Sequence, residues 1–291
     1  MTTFDPAAVE TGSRTDVGRQ RATNQDAFAC GVTPSGARLL VVADGMGGHA
    51  GGATASRLAI ETVERVIGSS TEPPDAMLRH ALEEANRCIY ERSRQDPSVA
   101  GMGTTGVALL IVADGSSCVA NVGDSRAYRL RDGELEQLTL DHSLVAELQR
   151  RGMLSEAQAR VHPRRNEVLR SLGVDPSVEV DVFAVDVKPG DQYLLCSDGL
   201  SGVVDDPEIA SVMRADPPEV AARRLVDAAN ARGGPDNITV VIARAPGPES
   251  STPEAGGGSA SACRGPVGRL AFFLLATGLF AGTLLWRLLR E

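Results

Sequence analysis

Lysine is almost missing from this chain: Lys188 is the only one in 291 residues, and arginine supplies the rest of the 29 basic side chains. Aromatic residues make up 3% with a single Trp, too few for a platform that stacks bases or sugar rings. Histidine occurs only at positions 49, 80, 142 and 162, too sparsely for a histidine-rich zinc site. Cys30, Cys88, Cys118, Cys196 and Cys263 show no short metal-ligand spacing. An odd, scattered set fits reduced thiols in a cytosolic compartment. With 38 acidic side chains the formal net charge is −9, which opposes nonspecific nucleic-acid binding. Met1–Arg14 has no apolar core, so no secretory signal is expected.

What is present is a globular composition, 42% hydrophobic and 23% charged, in a length that suits one or two domains. Residues 1–10 are expected to be a flexible N-terminus and residues 11–245 a folded domain. Residues 246–266, rich in Pro, Gly, Ser and Ala, cannot bury enough apolar surface to fold and read as a linker. Leu270–Trp286 then runs without a charge between Arg269 and Arg287. A single transmembrane helix is expected over 267–289, its span extended by snorkelling arginines. The expectation is a single-pass protein of the inner membrane, monomeric, with its folded domain in the cytoplasm.

Inside the folded part the hydrophobic period changes twice. Leu39–Ala43 predicts a buried strand, and Gly52–Ile67 and Pro74–Arg92 predict amphipathic helices. Strands follow at Thr104–Ala113, Ser116–Val122, Ala127–Leu130 and Glu134–Leu138, with Asp114-Gly115 and Asp132-Gly133 as hairpin turns. Leu144–Arg151 and Glu156–Arg160 read as short helices of an exposed subdomain. Strands at Val178–Ala184, Gln192–Cys196 and Ile238–Ala245 and a helix at Glu219–Ala231 complete the pattern. Hairpins flanked by early and late helices predict an α+β fold, with two packed antiparallel sheets and helices on the outer faces.

Aspartates fall where these strands stop. Asp44 follows LLVVA, Asp124 follows CVANVG and Asp198 follows YLLCS, while Asp26 and Asp236 sit in polar turns. Any one of them could be an ordinary turn residue. Five converging on one sheet rim would repel one another, and hard cations relieve that repulsion. Carboxylates and carbonyls are the ligands Mg²⁺ and Mn²⁺ prefer, so the pattern points to a metal-assisted hydrolase.

Eight stretches then occur in order: RATNQD (21–26), VVADGMGGHAGG (41–52), GMGTT (101–105), NVGDSRAY (121–128), DHS (141–143), HPRRNEVLRSLG (162–173), CSDGL (196–200) and GPDNITVV (234–241). Together they resemble the bacterial metal-dependent protein phosphatases of the 2C type, the PPM serine/threonine phosphatases, over roughly residues 12–243. The resemblance implies a four-layer α-β-β-α sandwich and two Mn²⁺ or Mg²⁺ ions. Asp44 would bridge them, Asp198 and Asp236 would complete one site, and Asp26 with the Gly45 carbonyl would help form the other. Asp124 with Asp198 would make a third, weaker site. Arg21 would clamp the phosphate, His49 would protonate the leaving alkoxide, and Asn237 would support the ligands or orient a water. Residues 142–173 would form a mobile flap. The implied substrates are phosphoproteins, including bacterial Ser/Thr kinases and their targets. A water shared by two cations would attack phosphorus directly.

Blander readings stand beside these. Alone, Arg21 is a solvated surface charge and His49 a loop histidine bonded to a carboxylate. His142 and His162 are expected to stabilise the flap, Cys196 to be a buried spacer, and Cys30 and Cys118 core residues. Asp141 is either structural or turned toward the flap hinge. A phosphatase of small phosphoesters and a non-catalytic phosphoprotein-binding domain are the rival functions.

Overall fold

A strand such as Leu39–Ala43, apolar at every position, has to be covered on both faces. The computed structural model, which describes residues 5–48 and 51–247, shows how this is done. In chain order the elements are β1 (Glu10–Asp16), β2 (Asp26–Val32), β3 (Arg38–Met46), α1 (Gly51–Ser69) and α2 (Pro74–Gln95). Next come β4 (Gly103–Thr104), β5 (Gly106–Ile111), β6 (Cys118–Val122), β7 (Arg126–Arg131) and β8 (Glu134–Gln137). The remainder are α3 (Leu144–Arg150), α4 (Glu156–Arg160), β9 (Asp181–Ala184), β10 (Gln192–Cys196), α5 (Asp198–Ser201), α6 (Asp206–Ala215), α7 (Pro218–Ala231) and β11 (Ile238–Arg244).

The strands make two antiparallel sheets, ordered β1-β11-β10-β7-β8 and β2-β3-β5-β6-β9, with β4 beside the end of β3. Side chains alternate between faces with period two. Leu40 and Val42 of β3 therefore point inward, where they meet Tyr193, Leu195 and Val241 of the other sheet. Leu39, Val41 and Ala43 point outward onto α1 and α2, against Ala59, Val63, Leu78 and Leu82. On the far side Leu194, Cys196, Val240 and Ile242 pack under α6 and α7, against Ile209, Met213, Leu225 and Val226. The result is the expected four-layer α-β-β-α sandwich.

Several boundaries differ from expectation for physical reasons. Order begins before residue 11: Asp5 caps a short 3₁₀ turn at Pro6–Ala8, and Val9 is buried against the inter-sheet core. The strand expected over Thr104–Ala113 is divided at Thr105. That residue turns aside to bond Asp44 twice, its N–H donating to the Asp44 carbonyl at 2.9 Å and its Oγ1 accepting from the Asp44 N–H at 2.9 Å. Only Asp181–Ala184 of the strand expected at Val178–Ala184 pairs. Cys118 is buried as expected, whereas Cys30 is half-buried at the core margin. The linker and apolar run beyond Gly247 lie outside the described residues, as does His49. Among the described residues no helix is long and apolar enough to cross a membrane.

Candidate active site

The sandwich gathers strand ends along one edge, and the aspartates come with them. Asp26 opens β2 directly opposite Asp44 of β3. Asp124 stands in the turn from β6 to β7, Asp198 begins α5 two positions after the last residue of β10, and Asp236 stands two positions before the first residue of β11. Gly45 follows Asp44 where the strand, the loop before β2 and the start of α1 crowd together. A Cβ there would lie 2.2 Å from the Gly52 carbonyl oxygen and 2.5 Å from that of Gln25, so only glycine fits.

The five carboxylates feel one another. Burial pushes Asp44 well above the ordinary carboxylate range, and the charges of Asp26, Asp198, Asp124 and Asp236 push further. Burial carries Asp26 up to about 7 against the opposing hydroxyl bonds, with Asp198 and Asp236 adding to it. Asp124 also reaches about 7, through burial first and then the charges of Asp198 and Asp141. Asp198 is raised by burial and by Asp236, partly offset by a hydrogen bond with Asp44. Packing acids together this way is unfavourable by itself.

Hydroxyl groups hold the cluster in place. Asp26 Oδ2 accepts from Thr239 Oγ1 at 2.7 Å and Ser197 Oγ at 2.8 Å. Thr104 Oγ1 donates to the Asp44 carbonyl at 2.8 Å, and Thr105 Oγ1 lies 2.7 Å from Ser125 Oγ. Sequence reasoning gave none of these five residues a role. The available signal was position, since each lies within GMGTT or within three residues of a singled-out aspartate.

Two oxygens of the cluster, Asp26 Oδ1 and Asp198 Oδ1, are buried without a partner among the described residues. Leaving such atoms unpaired costs about 1–3 kcal/mol each or more when charged. The donor set is carboxylate and carbonyl without His or Cys among the described residues, which suits Mg²⁺ or Mn²⁺. No three of these side chains close around one point as a finished cage among the described residues. Arg21 Nη2 instead takes Asp236 Oδ2 at 2.6 Å. The chemistry of the donors fits a hard dication, and Arg21 offsets part of the charge that such an ion would meet.

Arg21 is therefore drawn to the acidic edge, although half its side chain surface is exposed. Asn237 is buried at the same edge. Its Oδ1 accepts from the Gln25 N–H at 2.8 Å, and its Nδ2 donates to the carbonyls of Val17 at 2.9 Å and Thr23 at 3.0 Å. It thus anchors the loop that carries Arg21. Asp141 serves both structure and the flap hinge: its carboxylate accepts two bonds from Arg126 Nε at 3.0 Å and one from Nη2 at 2.7 Å, and its carbonyl accepts from Arg150 Nη1 of the flap at 3.3 Å. Cys196 is fully buried and its thiol is pushed up to about 12 by burial, as a spacer and not a nucleophile.

Between the flap and this edge lies a cavity of about 590 Å³, bounded by Asp124 and Asp198 on one side and Arg150, Arg160 and Arg165 on the other. It reaches the Asp124 end of the cluster and not Asp26 or Asp44.

Residues 17–229 match the family described as Protein phosphatase 2C. The serine/threonine phosphatase stp of Listeria welshimeri is 40% identical over 79% of this chain and 93% of its own length. PstP of Mycobacterium tuberculosis is 41% identical over 79% of this chain and 44% of its own length. A crystal structure of that phosphatase superposes with a TM-score of 0.76 at 38% identity, covering 82% of this chain and 99% of the other. A structure of a PstP catalytic domain in complex with two manganese ions has a TM-score of 0.72 at 36% identity, over 81% of this chain and 97% of the other. With the strand-end aspartates in place and likeness running through both sequence and fold, the chain belongs to the protein phosphatase 2C family and is a bacterial-type serine/threonine protein phosphatase.

Proposed function

We propose that this phosphatase uses its aspartate edge to hold two Mn²⁺ or Mg²⁺ ions while hydrolysing phosphoserine and phosphothreonine in proteins. The observation that carries this is the pair of unpartnered oxygens, Asp26 Oδ1 and Asp198 Oδ1, inside a cluster of acids with raised pKa values. Asp44, Asp198 and Asp236 would hold one ion, Asp44, Asp26 and the Gly45 carbonyl would hold the other, and Asp124 with Asp198 would make a weaker third site. Bound there, such ions activate water and neutralise charge on the phosphate.

The chain's own residues do the rest. Arg21 is exposed at the edge and tethered by a single bond to Asp236 Oδ2, so it can exchange that carboxylate for two phosphate oxygens. Asn237 keeps the Arg21 loop in register with β11. His49 donates a proton to the seryl or threonyl oxygen as the bond to phosphorus breaks. The linker at 246–266 and the apolar run at 267–289 tether the domain to the cytoplasmic face of the inner membrane. Its substrates there are phosphoproteins, Ser/Thr kinases among them, met at raised effective concentration. The uncharged run from Leu270 to Trp286 supports attachment to a membrane.

The test is phosphate release by the full chain from a phosphothreonine peptide, with Mn²⁺ and with EDTA, beside an aryl phosphate. Release that needs metal and favours the peptide is expected; turnover of the small ester alone would point to the small-substrate reading. His49→Ala should slow the peptide reaction about 10²-fold or more and the aryl phosphate less, because a phenolate needs little protonation to leave. Equal losses would remove His49 as the acid.

A further inference from the structure

One buried imidazole joins the flap to the aspartate edge. His142 opens the flap and is only 6% exposed. Its N–H donates to the Gly123 carbonyl at 3.0 Å, and the Gly123 N–H donates back to His142 Nδ1 at 3.0 Å. A backbone N–H can only donate, so Nδ1 must accept, which makes the ring neutral with its hydrogen on Nε2. Burial, which holds His142 below the ordinary imidazole range, agrees. Nε2 then donates to Asp181 Oδ2 at 3.1 Å. Arg170 Nη1 stands 3.2 Å from the same nitrogen, but two donors form no bond. Arg170 bonds Asp181 Oδ1 instead, at 2.7 Å.

Both ends of the flap are therefore fastened at Asp181 on β9: His142 at its start and Arg170 near its close. The Leu169 N–H donates to the His142 carbonyl at 2.7 Å, and Ser143 bridges to Val168, so the base is closed by main chain too. On the other side of the ring, Gly123 has little freedom to relocate. Its φ of +109° excludes side chains, and a Cβ would fall 2.6 Å from Thr105 Cγ2. Gly123 is followed by Asp124, whose direction depends on where Gly123 is held.

We propose that His142 is a positioning residue: by clasping both backbone groups of Gly123 it aims Asp124 into the aspartate edge, and it ties that aim to closure of the flap base. The inference rests on the reading above that Asp124 binds a cation. It differs from a purely structural role because the two ring nitrogens serve different ends. Nδ1 serves Asp124 through Gly123, and Nε2 serves the flap through Asp181. Asparagine can place an acceptor near the Nδ1 position without reaching Asp181, and glutamine can reach toward Asp181 without supplying that acceptor.

The experiment measures Mn²⁺ binding by calorimetry, and tryptic cleavage within the flap at Arg150, Arg151, Arg160, Arg164 and Arg165, in full-length variants. His142→Ala should weaken the weakest Mn²⁺ site roughly tenfold, the lower end for removing a partner that orients a ligand. It should also speed flap cleavage. His142→Asn should restore Mn²⁺ binding while cleavage stays fast, and His142→Gln should do the reverse. In an Asp124→Asn background His142→Ala should change Mn²⁺ binding no further, yet still speed cleavage. Equal losses in the Asn and Gln variants, or additive losses with Asp124→Asn, would overturn the proposal. Should His142→Ala fail to fold, the Asn and Gln variants decide alone. A weak site lost in Asp124→Asn but intact in every His142 variant overturns this inference and leaves the Asp124 reading standing. An unchanged set of Mn²⁺ sites in Asp124→Asn overturns both.

Discussion

The aspartate edge and the flap manage charge in opposite ways. Along the edge five acids crowd together, and Arg21 is the one cation bonded to any of them among the described residues. Neutral hydroxyls and backbone groups position them, and two oxygens have no partner. In the flap nearly every acid is matched: Glu147 with Arg150 and Arg151, Glu156 with Arg160, and Glu167 with Arg164. Helix α3 buries no residue and α4 only Ala159, while Met153 and Val161 stand 66% and 77% exposed. The edge retains a repulsion that a ligand can relieve, and its rigid sandwich keeps it from relaxing. Beyond its fastened base the flap has each of its acids paired and few side chains buried, so moving α3 and α4 exposes little and breaks little.

The largest expected effect tests the edge. Asp44→Asn and Asp236→Asn should each reduce Mn²⁺-dependent turnover by more than the roughly 10–100-fold that outlying partners of a metal ligand are worth. Near-normal activity in either variant would show that charge at the edge is not there to bind cations. Stability should move the other way. Without metal, Asp44→Asn removes one of the mutually repelling carboxylates and should raise the melting temperature in EDTA.

The same repulsion fixes a pH dependence whose sign follows from linkage. Asp26 and Asp124 sit at about 7 in the folded metal-free protein, against an unfolded value of about 3.9. The folded state then binds more protons between those values, so stability is fully present below about pH 4 and falls as pH rises through about 7. Melting in EDTA should show this loss between pH 5 and 8 beyond any change in the wild type with saturating Mn²⁺. A flat profile in EDTA would mean the acids are ionised and relieved by something other than a metal.

At the flap hinge the expected cost is intermediate. Arg126 and Asp141 are largely buried and joined by three bonds. Arg126→Met strands a buried carboxylate and should cost about 3–5 kcal/mol in denaturant unfolding, the range for breaking one side of such a pair. A loss below about 1 kcal/mol would place the hinge with the flap surface and not with the core.

What could be read from the chain beforehand divides along similar lines. The layers were legible because the apolar run LLVVA gives way to helical spacing, and because Asp114-Gly115 and Asp132-Gly133 close their hairpins. The aspartates were legible because each run ends at one. β1, with the sequence ETGSRTD, carries no apolar alternation; its pairing to β11, from Glu10 opposite Arg244 to Asp16 opposite Ile238, holds it in place. Residues 206–215 were passed over despite an Asp205 cap, Pro207 in the first turn and Ile209, Val212 and Met213 at helical spacing. The partners of Asp26 were beyond reach, since Ser197 and Thr239 meet it only after the sandwich brings them across 171 and 213 positions. The bonds of Asn237 to Val17, Thr23 and Gln25 were beyond reach for the same reason, since they depend on where a distant loop returns.

The smallest effect is expected from the flap surface, and it decides whether the contrast between the two regions is real. Arg160 and Glu156 form a pair four residues apart at 2.8 Å, with side chains 52% and 75% exposed. Water screens such a pair and holding two long side chains together costs entropy, so exposed helix pairs contribute only about 0.3–0.5 kcal/mol. Arg160→Gln should leave the unfolding midpoint within experimental scatter, and Glu156→Gln likewise. Local opening is a different matter, because α4 has only five residues and Ala159 as its one buried side chain. Hydrogen exchange at the amides of 159–161 should therefore quicken in both variants while exchange in β10 and β11 stays unchanged. If the global midpoint instead moved by more than about 1 kcal/mol, beyond the median for a surface pair, the flap would be folding as one unit with the sandwich. Its surface pairs would then be part of the same stability balance as the aspartate edge.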